Sequence, residues 1–143
     1  MKWIRILASA VAMTTFAGIT EAAISDCPAP HGVVEVVLPS GLPGILRDRI
    51  GDVALPGEPF DSTDVYAKGH KHRRYIFVWN IGSRWIVAME QGGITLRAAI
   101  FAYDLGKDGK GAVLIEESIA FPESACASAT KLVEKRNQIG HGK

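Results

Sequence analysis

Tyr75-Ile76-Phe77-Val78-Trp79-Asn80-Ile81, Gly82-Ser83, Arg84-Trp85-Ile86-Val87-Ala88-Met89-Glu90-Gln91 and Gly92-Gly93 follow one another without a break in the middle of the chain. Two runs dense in β-branched and aromatic residues, joined by a two-residue Gly-Ser step, read as a β-hairpin. Glycine first suits the turn whose twist matches that of the strands it joins. Gly92-Gly93 reads as a second tight turn, opening a third strand from Ile94 to Leu105. Gly106-Lys107-Asp108-Gly109-Lys110-Gly111 then makes a longer turn into a fourth strand, Ala112 to Ala120. Connections this short join antiparallel neighbours, so the pattern predicts a meander.

Outside this stretch the periodicity changes. Val33-Val34-Glu35-Val36-Val37-Leu38 is β-branched and stops at Pro39, which predicts a further short strand. Leu42, Ile45, Leu46, Ile50 and Val53 share one helical face, and Pro43 is tolerated in a first turn, so a short helix is expected from Pro43 to Ile50. Pro56, Gly57 and Pro59 open a loop reaching to Gly69. After Phe121-Pro122, Ser124 is placed to cap a helix with Cys126, Ala129, Leu132 and Val133 on one side. The expected fold is α+β: an antiparallel meander of four to five strands, packed on one face by the short N-terminal helix and the C-terminal helix.

Two tight turns would fix a register, and register decides which side chains share a face. If both Gly-containing steps are two-residue loops, Tyr75 lies opposite Glu90, Phe77 opposite Ala88 and Arg97, and Trp79 opposite Ile86 and Ala99. One face then carries Ile76, Val78, Trp85, Val87, Met89, Leu96, Ala98, Ile100 and Ala102, the expected core. The other carries Tyr75, Phe77, Trp79, Phe101 and Tyr103 around Glu90 and Arg97, diagonal neighbours on adjacent strands. That second face is a candidate binding surface, since exposed aromatics with a few fixed polar groups favour recognition. The plainer alternative is a second small core beside a surface ion pair worth at most about 1 kcal/mol.

The N-terminus reads as an address. Lys2 and Arg5 precede an uncharged stretch from Ile6 to Thr20, and Thr20 and Ala22 supply small residues before a cleavage point. These are the parts of a secretory signal, and 15 uncharged residues fall short of the roughly 20 that a spanning helix needs. The expectation is therefore a cleavable signal over residues 1–22 and one globular domain over residues 23–143. A lipoprotein signal is not expected, because Asp26 precedes Cys27 where a small residue is wanted. No later stretch is apolar enough to span a bilayer. Of 16 Lys+Arg and 15 Asp+Glu, removal of Lys2, Arg5 and Glu21 leaves 14 of each. A neutral domain has no global field to attract nucleic acid.

The two cysteines, Cys27 and Cys126, bracket the domain. In an oxidising compartment such a pair is expected to be bridged, and the absence of C-x-x-C spacing argues against a redox-active pair.

Chemistry-bearing patterns are few. Lys68-Gly69-His70-Lys71-His72-Arg73-Arg74 sets His70 and His72 on the same side of an extended chain, the geometry for two metal ligands. A third ligand from Asp61, Asp64 or His31 is not selected by spacing, and the neighbouring cations oppose a divalent ion. A solvated basic loop is the simpler expectation, and no metal or cofactor is expected. There is no Gly-x-Ser-x-Gly elbow and no H-E-x-x-H, and the glycine-rich turn from Gly106 lacks the order of a phosphate loop. Phe60-Asp61-Ser62-Thr63-Asp64-Val65 and Arg84-Trp85-Ile86-Val87-Ala88-Met89-Glu90-Gln91-Gly92-Gly93-Ile94 resemble stretches of small exported bacterial proteins of unassigned function. That resemblance covers the middle third of the chain and implies a periplasmic setting, with no activity attached.

The expectation is thus a small periplasmic or secreted binding or inhibitory module. Its contacts are Tyr75, Phe77, Trp79, Glu90 and Arg97, or His70 and His72, and its partner is an unidentified periplasmic protein or small molecule. The alternatives are a small secreted hydrolase, which a paired-carboxylate set from Asp61, Asp64 and Glu90 would serve, and an envelope or stress protein with no specific ligand.

Overall fold

The computed structural model describes residues 27–36, 40–65 and 67–140. The expected signal segment, residues 1–22, lies outside them, as do residues 37 and 38 of the first expected strand. The described elements are β1 (Val34–Glu35), α1 (Gly44–Ile50), β2 (Arg73–Ile81), β3 (Arg84–Gln91), β4 (Arg97–Leu105), β5 (Ala112–Ala120) and α2 (Ala125–Gly140). A single 3-10 turn, Pro122–Ser124, leads into α2. The strands form one open antiparallel sheet in the order β1-β2-β3-β4-β5, so the meander expected from turn chemistry is present.

The β2–β3 hairpin is tight as expected, with Ile81 paired to Arg84 across Gly82-Ser83. Gly82 has φ 63°, a left-handed conformation that other residues reach only with strain. The β3–β4 connection departs from expectation. Gln91 pairs with Arg97, so residues 92–96 form a loop in place of a two-residue turn. Gly92 serves a different purpose, because a Cβ there would collide with the backbone carbonyl of Asp61. Its N–H donates to the His72 carbonyl at 3.2 Å. The glycine is needed for close approach of the 61–72 loop, a requirement that pattern reading cannot separate from a turn.

This longer connection moves β4 by three residues against β3, and an odd shift exchanges its two faces. Ala88 pairs with Ile100 and Ile86 with Ala102, where Arg97 and Ala99 were expected. A bulge at Ile76 has a similar effect on Tyr75, which pairs with Met89 and not with Glu90. The single aromatic face is therefore divided.

Each side of the sheet is covered by its own cluster. On one, Phe77, Trp79, Ile86, Ala88, Ala98, Ile100 and Ala102 pack with Cys27 and the α2 residues Ala125, Ala129, Leu132 and Val133. On the other, Tyr75, Val78, Val87, Met89 and Tyr103 pack with Leu42, Leu46, Ile50 and Val53. The two helices thus belong to separate clusters, and the expectation that both pack on one face is not met. The error follows from the register: with β4 reversed, one face would have been too polar to bury.

Cys27 and Cys126 form a disulfide with their Cα atoms 5.5 Å apart and a sequence separation of 99. The bridge ties the start of the described chain to the first turn of α2. At the start of β3, Arg84 Nε and Nη2 each donate to Asp104 at 2.8 Å. Those hydrogen bonds hold the Asp104 carboxyl below its ordinary range.

Burial raises the pKa of Tyr75 and of Tyr103, the neighbouring arginines opposing it in part. The folded state therefore holds these protons more tightly than the unfolded chain does. The associated stability is complete below the unfolded tyrosine value of about 10 and declines as pH rises beyond it. Denaturant midpoints should fall more steeply between about pH 9 and 11 in the wild type than in a Tyr75→Phe, Tyr103→Phe variant. Equal slopes would show that neither hydroxyl is held protonated by the fold.

Candidate functional site

The residues expected to form an open aromatic surface do not come together. Phe77 and Trp79 are almost wholly inaccessible, 3% and 0% exposed, and stack with ring centroids 4.4 Å apart. Tyr75 and Tyr103 are buried in the opposite cluster. Glu90 is bound by Arg74, whose Nε donates at 2.8 Å, and not by Arg97. The same Arg74 guanidinium lies 4.4 Å from the Phe60 ring centroid, so it ties the loop before β2 to the edge of the sheet. Arg97 stands exposed at the start of β4.

His70 and His72 do converge, on Asp61. Its carboxylate is the one buried charged group among the described residues, 7% exposed. His70 Nδ1 lies 3.1 Å from Oδ1 and His72 Nδ1 3.7 Å from Oδ2, while the Ala67 N–H donates to Oδ2 at 3.1 Å. Asp61 was one of three candidates to join these histidines, and the approach of Gly92 to its backbone is what fixes it there. Two nearby cations are already engaged: Lys71 with Asp52 at 2.9 Å and Arg73 with the Ile50 carbonyl at 2.6 Å. Among the described residues no group of three or more His, Cys, Asp or Glu side chains has the arrangement to hold a metal ion. As it stands the cluster closes the loop: the buried Asp61 carboxylate at its start is hydrogen-bonded to the Ala67 N–H and to His70 Nδ1 from its later part.

An exposed apolar surface lies elsewhere, where sequence reading saw only a fourth strand. Val113, Leu114, Ile115, Ile119 and Phe121 are exposed, Phe121 by 62%. Alternation along β4 and β5 sets Arg97, Phe101, Glu117 and Ile119 on the α1 side of the sheet, Phe101 directly opposite Glu117. α1 reaches only the first residue of β5, where Arg49 Nη1 donates to the Ala112 carbonyl at 2.7 Å. Beyond it this side of the strand is open. Phe101, Ile119 and Phe121 thus lie together with one guanidinium and one carboxylate, although this is not the set the sequence indicated. The missed signal was Val113-Leu114-Ile115, three consecutive apolar residues in a strand that alternation alone would half bury.

Among the described residues, two clefts lie on the opposite, α2 side of the sheet. One of about 260 Å³ borders the disulfide and is lined by Ile76, Phe77, Pro122 and Glu123. The other, about 190 Å³, lies between β5 and α2 and is lined by Ile115, Glu116, Leu132 and Lys135. Both fall below the roughly 300–1,000 Å³ of ordinary small-molecule sites. No helix among the described residues is long and apolar enough to cross a membrane. No family model, curated protein or solved structure matches the chain.

Proposed function

We propose that the protein is a small exported binding or inhibitory module whose contact surface is the open β4–β5 side of the sheet, bearing Arg97, Phe101, Glu117, Ile119 and Phe121. The carrying observation is the exposure of Leu114, Ile119 and Phe121, the large apolar side chains that β5 and its extended continuation set on that side. Scattered apolar residues are ordinary on a protein surface, but a contiguous group beside fixed charges marks recognition. An open strand surface favours a protein partner over a small molecule.

Export is supported by the basic and then apolar start of the chain and by the disulfide, since disulfides persist in oxidising compartments. The setting proposed is the periplasm, with residues 1–22 removed and residues 23–143 forming the working domain.

The test is capture from periplasmic extract with wild type and with an Arg97→Ala, Phe121→Ser variant, both positions being exposed. Loss of at least one specifically captured protein, with an unchanged melting temperature, is the expected result. Identical captured sets would remove the β4–β5 surface from consideration. A hydrolase is a second reading, favoured only by the buried Asp61 carboxylate beside His70 Nδ1, an orientation that suits general-base chemistry.

A further inference from the structure

The two edges of the sheet are treated differently. Beside β2, the Ala54 N–H donates to the Arg73 carbonyl at 2.8 Å and the Tyr75 N–H to the Ala54 carbonyl at 3.0 Å. Further along, β1 pairs with Trp79 and Asn80, and the Val36 N–H donates to the Val78 carbonyl at 2.9 Å. The outer edge of β5 has no such cover: among the described residues β5 is the last strand of the sheet. An uncovered edge exposes a row of unpaired backbone donors and acceptors, a template for another strand.

We propose that β5 pairs with β5 of a second copy of this chain, antiparallel about a two-fold axis at Ser118. The two five-stranded sheets then become one continuous sheet. This goes beyond the binding role proposed above, which concerns the face of the sheet and not its edge.

The register follows from charge and from backbone regularity. β5 bulges at Ile115, because Ala102 lies opposite Glu116 while Tyr103 lies opposite Leu114. The regular pleat therefore runs from Glu116 to Ala120 and continues into Phe121, which remains extended at φ −72° and ψ 151°. Pro122 ends it, having no N–H to offer. An axis at Glu116 or at Glu117 sets two like carboxylates directly opposite one another, which is destabilising. An axis at Ile119 brings Pro122 opposite Glu116 and shortens the overlap. At Ser118 both conflicts vanish. Glu117 then lies opposite Ile119 of the second copy and Glu116 opposite Ala120, with Ile115 and Phe121 meeting at each end. Glu116 is already neutralised by Lys135, whose Nζ lies 2.7 Å away. An isologous two-fold pairing of this kind closes on itself, and the opposite edge of each sheet offers only the two-residue β1 for further pairing.

The native cysteines are both bridged, so one added cysteine is a clean probe. Side chains directly opposite across an antiparallel pair are within reach of a disulfide. Under mild oxidation Ser118→Cys should give a covalent dimer, while Val113→Cys, exposed on the same strand, should not. Sedimentation of the wild type should show the mass doubling as concentration rises, and Ile119→Lys should remain monomeric with an unchanged melting temperature. Wild type that stays monomeric at every concentration overturns the proposal. So does a dimer that Val113→Cys traps and Ser118→Cys does not, or an edge that pairs only with a different protein.

Discussion

Replacing Trp79 with alanine is expected to lower the unfolding free energy by about 3–5 kcal/mol, the range for deleting a large buried aromatic. Trp79 is 0% exposed and stacks on Phe77. It lies in a cross-strand row with Ile86 and Ala102, at the centre of the sheet beneath α2. Its neighbours in this cluster include Ala88, Ala98, Ala102, Ala125 and Ala129, small residues that make room for one large ring. Alanines on strands and on a helix cannot swing inward to fill the space it leaves, so the cavity remains largely open. A domain of this size is stable by only about 5–15 kcal/mol in all. The loss therefore takes a large share of the total. Urea denaturation followed by far-UV circular dichroism measures it without relying on the indole itself.

Trp79→Phe is an informative companion. The indole Nε1 is buried without a hydrogen-bond partner among the described residues, and an unsatisfied buried donor costs about 1–3 kcal/mol. Phenylalanine keeps the stacking and removes that donor, so its cost should be clearly below that of alanine. If both substitutions cost under about 1 kcal/mol, Trp79 does not anchor this core.

Removing the Cys27–Cys126 bridge is expected to cost about 2–5 kcal/mol. The chain-entropy model gives about 4.7 kcal/mol for a loop near 100 residues, and here the cysteines are 99 residues apart. Cys27 is itself part of the α2-side core, only 4% exposed, so its loss also loosens packing around Phe77 and Ala125. A Cys27→Ala, Cys126→Ala variant avoids leaving a free thiol and measures the covalent and packing losses together. The native protein should migrate faster on non-reducing gels, show no titratable thiol when denatured, and unfold at higher denaturant than the variant. Two free thiols in protein taken directly from the periplasm would contradict both the bridge in that compartment and the proposal of export to it. Trp79 and the bridge lie in one cluster, so their effects should not add in a combined variant.

Local chemistry was sufficient for part of this protein. The β-branched runs, the Gly82-Ser83 step and the glycine-rich turn at Gly106 determine a meander, because each connection is too short for anything but antiparallel neighbours. The 3.6-residue pattern at Leu42, Leu46 and Ile50, and again at Ala129, Leu132 and Val133, determines two helices and the side each one buries. Two cysteines bracketing the chain determine the only disulfide it can form. What tertiary structure alone decided was parity. Gly92 looks like a turn residue but serves the close approach of Asp61, so β4 enters three residues later than a tight turn would allow. Ile76 bulges, and Tyr75 crosses to the opposite side. In a strand every odd shift exchanges inside for outside, so these two local events divided the expected aromatic face and left Phe101 and Arg97 beside Ile119 and Phe121. Nothing in the sequence near Gly92 announces Asp61, which is 31 residues away. The cause of the register is a non-local contact, and only the folded chain contains it.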